Sequence, residues 1–439
     1  MLTPRLIELS LSFCKEPPRR VYVAYSGGVD SHVLLHLCAE HQGLREKLTA
    51  VHVHHGLQSQ AEAWARHAEA IARNLGVKFL LLRVAAQANK GESPEEAARN
   101  ARYAALKQVI AEGEVLLVAQ HLDDQLETVL LQLFRGSGLA GLSGMPESMS
   151  FGRGMLLRPL LYIRKQAIDA YASAQNLHWI EDPSNQDHVF DRNFLRQQVL
   201  PLLKQRWPSM DLTVARAAGH CGESQRLLSS VAAEAFRNVY EALDDAIDLD
   251  RLAGFDDSRQ RLIIRHWIQR IGLKMPSQAF LKQLFTNVIH ADRNRVPVLG
   301  WQGYQFRRYR GKLYCLKTCA EESLHDLLWP ANQISLRYGN GMSLTCAPAQ
   351  SGLPQKYWQH SKVTVRFRSG GETIALPGRQ GRHSLKNLYQ EAGIPPWQRE
   401  KIPLIYLDDK LAAVGGLWIG AEFYAVNVPD CIGFVLSHQ

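Results

Sequence analysis

Six consecutive residues near the N-terminus, Ser26-Gly27-Gly28-Val29-Asp30-Ser31, have the composition of a phosphate-binding turn. They follow an apolar, strand-like run, Val21 to Tyr25, and precede a helical pattern from His32 to Glu40. Glycines let the backbone bend sharply and approach a ligand, and the free N–H groups at a helix start attract anions. The serine hydroxyls can donate hydrogen bonds, and Asp30 can hold a magnesium ion that bridges phosphate oxygens. The segment therefore predicts a polyphosphate site.

A second chemically capable segment, residues 121–128, follows another apolar run, Val115 to Ala119. On a helix, Asp123 or Asp124 lies three or four positions from Glu127, so the carboxylates face one side. They could share magnesium, bind a cationic substrate or accept a proton from an amine. The alternative is a helix start enriched in acids because of the helix dipole. The predicted catalytic residues are Asp30, Asp123, Asp124 and Glu127, with Asp30 and Asp124 as the metal ligands.

Two further segments supply cations. Arg135 ends the acidic helix, either as a plain helix stop or as a phosphate contact. Residues 182–185 and 191–196 place acids, amides and arginines near a helix start, which gives them phosphate-binding potential.

These segments need a sheet that brings strand ends together. The first half alternates apolar strands, at 48–53, 77–84 and 115–119, with helical patterns at 59–74, from Ser93 onward and at 123–134. Buried strands separated by helices predict an α/β fold with a doubly wound parallel sheet. Ligands of such sheets bind at the carboxyl ends of the strands, where both segments lie.

Composition limits the class of protein. A chain of 439 residues with 46% hydrophobic and 21% charged residues is typical of a soluble protein with roughly two to four domains. The net charge of +9 is compatible with a polyanionic partner. Seven scattered cysteines argue against a disulfide framework, and we find neither a signal peptide nor a membrane span. These features predict a cytoplasmic protein without membrane contact.

Pattern changes predict three domains. Residues 1–207 form the α/β domain and end at the proline-bounded segment Pro201–Pro208. Residues 208–330 are mainly helical to about His290 and then carry short basic strands at 296–317. Residues 331–439 form a small α+β domain, which begins with a weakly patterned linker or irregular sheet.

The run Ser-Gly-Gly-Val-Asp-Ser resembles the PP-loop of ATP pyrophosphatases, which cleave ATP between its α and β phosphates. It lacks both the Gly-Lys-Ser/Thr of a Walker loop and the third glycine of a dinucleotide fingerprint. Together with residues 121–128, 182–185 and 191–196, it is similar to the pattern of the bacterial tRNA(Ile)-lysidine synthetase family. The run 379–388, with Pro395-Pro396-Trp397 and Arg399, resembles that family's C-terminal tRNA-contacting domain.

This resemblance implies an adenine nucleotide alpha hydrolase-like fold, with a tRNA-binding middle domain and a tRNA-binding C-terminal domain. It implies ATP and Mg²⁺ as cofactors and, as partners, L-lysine and an isoleucine tRNA with a CAU anticodon. The wobble cytidine would be adenylated at O2, and lysine would then displace AMP from carbon 2. ATP would bind at Ser26, Gly27, Gly28, Val29, Asp30 and Ser31, and lysine or phosphate at His121, Arg135, Arg192, Asn193 and Arg196.

The C-terminal region offers a basic surface. Residues 361–400 hold seven Lys/Arg against three Glu, and such a surface binds phosphate backbones in a salt-dependent way. The predicted tRNA contacts are Arg379, Arg382 and Lys386. The alternative is a solvated charged face.

Two other functions stay open at the sequence level. A tRNA thiolase would use the same loop, but it would usually need paired cysteines or a persulfide-bearing cysteine near the site. A non-catalytic RNA-binding protein would not need Asp30 and the acidic helix. The sequence allows a homodimer without defining one.

Overall fold

The structure, a computed structural model, describes residues 2–54, 61–84, 94–180, 191–292, 295–318, 325–339 and 341–438. The chain divides into two units, Met1–Val231 and Ala232–Gln439. A long helix, Met210–Val239, runs through this division. Within the described ranges, no helix is long and apolar enough to cross a membrane. The division at residues 207 and 330 stays a prediction.

The first unit is built on a six-stranded sheet with the order β3-β2-β1-β4-β6-β5. All neighbouring strands are parallel except the edge pair β5 and β6. Val21 and Val23 on one face of the central strand β1 and Tyr22 on the other face are all buried, as expected for a sheet covered on both faces. The elements are α1 (Arg5–Leu11), β1 (Arg20–Ala24), α2 (Val29–Ala39), β2 (Leu48–His54), α3 (Ala61–Asn74), β3 (Lys78–Arg83), α4 (Pro94–Val109), β4 (Glu114–Leu117), α5 (Leu122–Phe134), α6 (Leu139–Leu142), β5 (Ser148–Phe151), β6 (Gly154–Leu157), α7 (Lys165–Ala174), α8 (Asp191–Phe194), α9 (Leu200–Arg206) and α10 (Met210–Val239).

The predicted doubly wound sheet is confirmed, with small changes at the element ends. Helix α2 begins at Val29, three residues before the apolar pattern, because the glycine turn leads directly into its first turn. Pro201 occupies the first turn of α9, directly after a π-helical turn at Leu195–Val199. Ser59, Ser93 and residues 182–185 lie outside the described residues.

The second unit opens with helices and continues with antiparallel sheets. Strands β9 to β11 pair in order and extend through β8 to β7, which confirms the predicted strands at 296–317. The elements are β7 (Tyr240–Glu241), β8 (Ala246–Asp248), α11 (Leu249–Ala253), α12 (Asp257–Arg270), α13 (Gln278–Leu284), β9 (Val298–Trp301), β10 (Tyr304–Tyr309), β11 (Lys312–Lys317), β12 (Leu327–Leu328), β13 (Ser335–Tyr338), β14 (Met342–Ala349), β15 (Leu353–Pro354), α14 (Gln355–His360), β16 (Val363–Arg366), β17 (Thr373–Ala375), β18 (Arg382–Ser384), α15 (Leu385–Glu391), α16 (Pro396–Arg399), β19 (Leu404–Leu407), β20 (Lys410–Val414), β21 (Trp418–Ile419) and β22 (Cys431–His438).

The weakly patterned stretch after residue 331 is a sheet and not a linker. Strand β14 pairs with β22 along its whole length, and β13 pairs with β14. The sequence pattern is weak because few of these residues are fully buried: Leu344 is the buried residue of β14. Separate cores lie under the helical part and under the C-terminal sheets.

Candidate active site

The predicted phosphate-binding turn connects β1 to α2 and is closed by its own serines. The Ser26 and Ser31 hydroxyl oxygens lie 3.0 Å apart, and the Ser31 hydroxyl donates to the Gly28 carbonyl at 2.9 Å. Gly27 has a φ of 93°, a conformation that residues with a Cβ rarely adopt. Gly28 is the N-cap of α2 and offers no side-chain acceptor to the first N–H groups of the helix. Those groups need an external acceptor, which an anion supplies.

Asp30, in the first turn of α2, contacts two cationic groups from other elements. Its Oδ1 accepts a hydrogen bond from Lys165 Nζ at 2.6 Å, and its Oδ2 lies 3.6 Å from His121 Nε2. Burial raises the pKa of Asp30, but His121 and Lys165 outweigh this effect and hold the pKa below its ordinary value. Asp30 is therefore a carboxylate at neutral pH.

His121 joins the phosphate-binding turn to the acidic helix. It is the N-cap of α5, its side chain is 5% exposed, and its Nε2 also lies 3.5 Å from Asp124 Oδ2. Burial lowers the pKa of His121, but the carboxylates of Asp30 and Asp124 outweigh burial and raise it above the ordinary value. Two of the predicted segments thus meet at one imidazole.

Asp124 and Glu127 contact two arginines, Arg192 and Arg196, which are also predicted substrate contacts. Glu127 is completely buried, and its two oxygens accept from Arg192 Nε and Arg196 Nε, each at 2.6 Å. The same guanidinium groups reach Asp124 Oδ1 at 3.1 and 3.0 Å. Burial lowers the pKa of Arg196, but the hydrogen bond and charge of Glu127 more than reverse this effect, so its pKa is raised. These four side chains, together with His121 and Asp30 that are joined to them through Asp124, form one charge network.

Asp123 faces a different pair of partners. Its Oδ1 contacts the ammonium of Lys204 on α9, and its Oδ2 accepts the backbone N–H of Lys165 at 3.3 Å. Burial raises the pKa of Asp123, but Lys204 outweighs this effect and lowers the pKa. All three acids of α5 therefore face the site with a cationic partner.

Two predicted residues have other surroundings. Arg135 is the exposed C-cap of α5, about 16 Å along the helix from Asp124. Gly136 follows with a φ of 68°, the geometry of a helix stop. The structure does not bring Arg135 to the charge network. Asn193 lies on α8 between the two arginines and is half-buried.

Sequence reasoning missed Lys165 and Lys204. Lys165 is 135 positions from Asp30, and Lys204 is 81 positions from Asp123. Neither lysine belongs to a spaced motif, so only the packing of α7 and α9 could identify them.

The basic residues of the C-terminal region either contact residues of the same region or are exposed. Arg379 Nη1 donates to Glu391 at 2.8 Å, and Arg382 donates to the Thr373 hydroxyl and carbonyl at 3.1 and 2.9 Å. Lys386, on α15, is exposed. Arg399 differs, because it is 6% exposed and donates to the Ile394 carbonyl at 2.8 Å and to the Tyr309 hydroxyl at 3.1 Å. Arg399 therefore serves internal packing.

Models of known families match three segments of the chain. Residues 4–203 match the PP-loop domain, which defines the first unit as an ATP-using PP-loop fold. Residues 247–314 match the TilS substrate binding domain, and residues 363–431 match the TilS substrate C-terminal domain.

Curated relatives are similar in sequence to this chain over nearly its full length. The chain is 40% identical to the tRNA(Ile)-lysidine synthase of Methylococcus capsulatus, over 94% of this chain and 95% of that one. It is 43% identical to the enzyme of the same name from Serratia proteamaculans, over 91% and 92%. The chain belongs to the tRNA(Ile)-lysidine synthase family. Among solved structures, the U34-tRNA thiolase NcsA from Methanococcus maripaludis aligns with a TM-score of 0.42 and 16% identity, over 49% of this chain and 77% of that chain.

Proposed function

We propose that this chain, as a PP-loop member of the tRNA(Ile)-lysidine synthase family, uses the charge network around His121 to form lysidine on tRNA(Ile) with ATP. The substrates are ATP, L-lysine and an isoleucine tRNA with a CAU anticodon. The product reads AUA, and pyrophosphate and AMP are released. The observation that carries the proposal is the meeting of Asp30, at the phosphate-binding turn, with His121 and Asp124, at the start of the acidic helix. A cytoplasmic location fits a tRNA substrate.

ATP binds at Ser26–Ser31 in this proposal. The uncapped start of α2 receives the phosphates, and Gly27 allows their close approach. The cytosine O2 attacks the α-phosphorus, a bond forms between them, and pyrophosphate leaves. Charge that develops on the phosphoryl oxygens is stabilised by preorganised donors, and the guanidinium groups of Arg192 and Arg196 are candidates for this role together with Asn193.

Magnesium suits the oxygen donors of this site. Magnesium is usually bound by one or two carboxylates together with substrate phosphates, and Asp30 is an ionised, one-third exposed carboxylate beside the turn. Asp30 would release Lys165 on binding the ion. Asp124, whose carboxylate now contacts Arg192 and Arg196, would be the second residue to hold the ion. When bound, the ion neutralises phosphate charge.

The lysine substrate needs a carboxylate, because its ε-amine is protonated at neutral pH. The acids of α5 already hold an ammonium or guanidinium group each, which is the chemistry that binding a lysine side chain requires. One of these carboxylates accepts a proton from the amine. The amine then attacks carbon 2 of the adenylated cytidine, and AMP leaves. Asp123, Asp124 and Glu127 share these tasks.

The C-terminal surface, Arg379, Arg382 and Lys386, supplies affinity for tRNA and no chemistry. Its side chains are exposed, and Arg379 and Arg382 contact only residues nearby in the sequence. These side chains can therefore pair with phosphates.

A lysine-incorporation assay tests the proposal. Labelled lysine, ATP and Mg²⁺ are incubated with two tRNA(Ile) transcripts that differ only in a CAU or GAU anticodon. We expect label to enter the CAU transcript alone, in a nucleotide mapped to the wobble position. Label in neither transcript would overturn the proposal. A thiolase reading would instead require a reactive cysteine near the site, yet Cys38 on α2 is completely buried in the apolar core.

A further inference from the structure

The helical part of the second unit, residues 235–317, and its C-terminal part, residues 327–438, contact each other around Trp397. The centre of the Trp397 ring lies 5.1 Å from that of Tyr314 and 6.0 Å from that of Tyr309, with interplanar angles of 66° and 77°. These are edge-to-face contacts, an arrangement that aromatic pairs favour. Because the tyrosines lie on β10 and β11, the contact joins a helix of one part to the sheet of the other. We call this contact the Trp397 joint.

Directional contacts surround the ring contacts of the joint. The Arg399 guanidinium donates to the Tyr309 hydroxyl at 3.1 Å, and the Arg310 guanidinium donates to the Gln390 carbonyl. The Cζ of Arg307 lies 5.5 Å from the centre of the indole, within the range of a cation–π contact. Hydrogen bonds have preferred directions, so they fix the orientation that ring packing alone would leave free. The joint therefore holds both the distance and the orientation of the two parts.

The local sequence presents Trp397 in a restricted conformation. Pro395 is the N-cap of α16 and Pro396 is its first residue, so two proline rings restrict the backbone directly before the indole. Gly393 allows the close approach of Arg310, because a Cβ at this position would lie 2.7 Å from Arg310 Nη1. The Pro-Pro-Trp run, which resembles part of a tRNA-contacting domain, is thus built into a contact within the protein.

Both parts have an apolar core of their own, and the rings of the joint lie outside these cores. Trp267 and Phe306 belong to the core of the helical part, and Trp329 and Leu388 belong to cores of the C-terminal part. Among the described elements, the chain passes from one part to the other once, between β11 and β12. Breaking the joint should therefore leave each part folded but hold it less firmly to the other.

The joint holds the helix that carries part of the C-terminal basic surface. Gln390, whose carbonyl accepts from Arg310, lies in the last turn of α15. The next residue, Glu391, accepts from Arg379 at 2.8 Å, and Lys386 lies on the same helix. The position of the basic surface relative to the helical part is therefore set through α15.

We infer that Trp397 is a positioning residue: through the joint, it fixes the C-terminal basic surface relative to the helical part, so that tRNA meets one preformed surface. The inference rests on the proposed function, since that function supplies the RNA. When two binding surfaces are held rigidly, engagement of the second after the first costs little conformational entropy. The joint therefore raises the affinity for tRNA without contacting it.

The first test compares Trp397→Ala with Tyr357→Ala by filter binding of tRNA(Ile) across a salt series. Tyr357 is a matched control, because it is an exposed aromatic residue of the same part whose ring lies 5.8 Å from that of Phe423, away from the joint. For Trp397→Ala, Kd should rise roughly tenfold. The slope of log K against log salt should stay unchanged, because no phosphate contact is lost. Trp397→Phe should keep most of the affinity, and Tyr357→Ala should bind like the wild type.

Steady-state kinetics should show the same separation. Trp397→Ala should raise the KM for tRNA and leave both kcat at saturating tRNA and the KM for ATP unchanged, because the joint acts on binding and not on the reacting groups. A lower kcat with an unchanged KM for tRNA would contradict a positioning role in tRNA binding.

A double-mutant cycle separates positioning from direct contact. Tyr314→Ala with Trp397→Ala should bind tRNA no more weakly than Trp397→Ala alone, since both changes break the same joint. Additive losses, or a flatter salt slope for Trp397→Ala, would show that these residues contact RNA directly, which would overturn the positioning role. Wild-type affinity of Trp397→Ala protein, shown to be folded by thermal unfolding, would overturn it as well and leave the proposed function standing. A wild type that binds tRNA but forms no lysidine would instead overturn the proposed function, and the binding comparisons would still decide the role of the joint.

Discussion

The two charged regions of this protein are organised differently. In the candidate active site, acids and bases meet from segments 65 to 135 positions apart, and Glu127 is fully buried between two arginines. On the C-terminal surface, Arg379 and Arg382 contact partners only 12 and 9 positions away and stay exposed. Charges in a desolvated network interact strongly, whereas exposed charges are screened by water and salt. Single substitutions should therefore act sharply in the first region and gradually in the second.

The largest loss of activity is expected for Asp30→Ala. We expect lysidine formation to fall by at least about 10³-fold, because the magnesium ion that neutralises the phosphate charge would lose its proposed ligand. Asp169→Ala is a matched control, since Asp169 is the other carboxylate of Lys165, at 3.0 Å, and it should change the rate less than about twofold. Near-normal turnover of folded Asp30→Ala protein at saturating magnesium would contradict the metal role of Asp30.

The acidic helix gives the next effect. Asp124→Asn or Glu127→Gln should reduce the rate roughly 10²-fold with little loss of tRNA affinity, because these acids act on the reacting groups. Glu127→Gln also leaves two guanidinium groups without their buried partner. Since Arg196 is 43% exposed, we expect destabilisation of about 3 kcal/mol or less, measured by urea unfolding. A loss of tRNA affinity in step with activity would show that the acids support RNA binding instead.

The C-terminal surface should respond in salt dependence. A triple variant, Arg379→Ala, Arg382→Ala and Lys386→Ala, should flatten the salt slope of tRNA binding by roughly 2 to 3 while ATP binding stays normal. Glu391→Gln, which removes the partner of Arg379, serves as a control for the local ion pair. Unchanged affinity and slope in the triple variant would mean that this surface is a solvated face.

A smaller effect concerns pH. The pKa of His121 is higher in the folded protein than in the unfolded chain, so its interaction with Asp30 and Asp124 stabilises fully below the unfolded pKa of about 6.5. That stabilisation is lost as pH rises through the higher folded pKa. The free energy of unfolding should fall over this range. The free energy of unfolding of the His121→Gln variant should fall less over the same range. Identical pH dependence in both proteins would show that the charge of His121 does not stabilise the fold through Asp30 and Asp124.

The fold, and the meeting of Asp30 with the acids of α5 in the candidate site, could be predicted from the sequence for physical reasons. A glycine turn after a buried strand is a local signal, and parallel strand ends must meet at one edge, so Asp30 and the α5 acids could be placed together. Lys165 and Lys204 gave no such signal, because their role depends on how α7 and α9 pack against α5. Arg399 shows the opposite case: it belongs to a basic run, yet its burial makes it an internal contact.

The two-stage reaction, adenylation of the tRNA followed by attack of lysine, can be tested in a single pulse-chase measurement. The enzyme is mixed with tRNA(Ile), Mg²⁺ and ATP labelled at the α-phosphate, without lysine, and lysine is added afterwards. We predict that label becomes attached to the tRNA in the first stage and leaves as AMP when lysine is added. Label that never joins the tRNA, or that lysine does not release, would contradict a reaction through an adenylated tRNA.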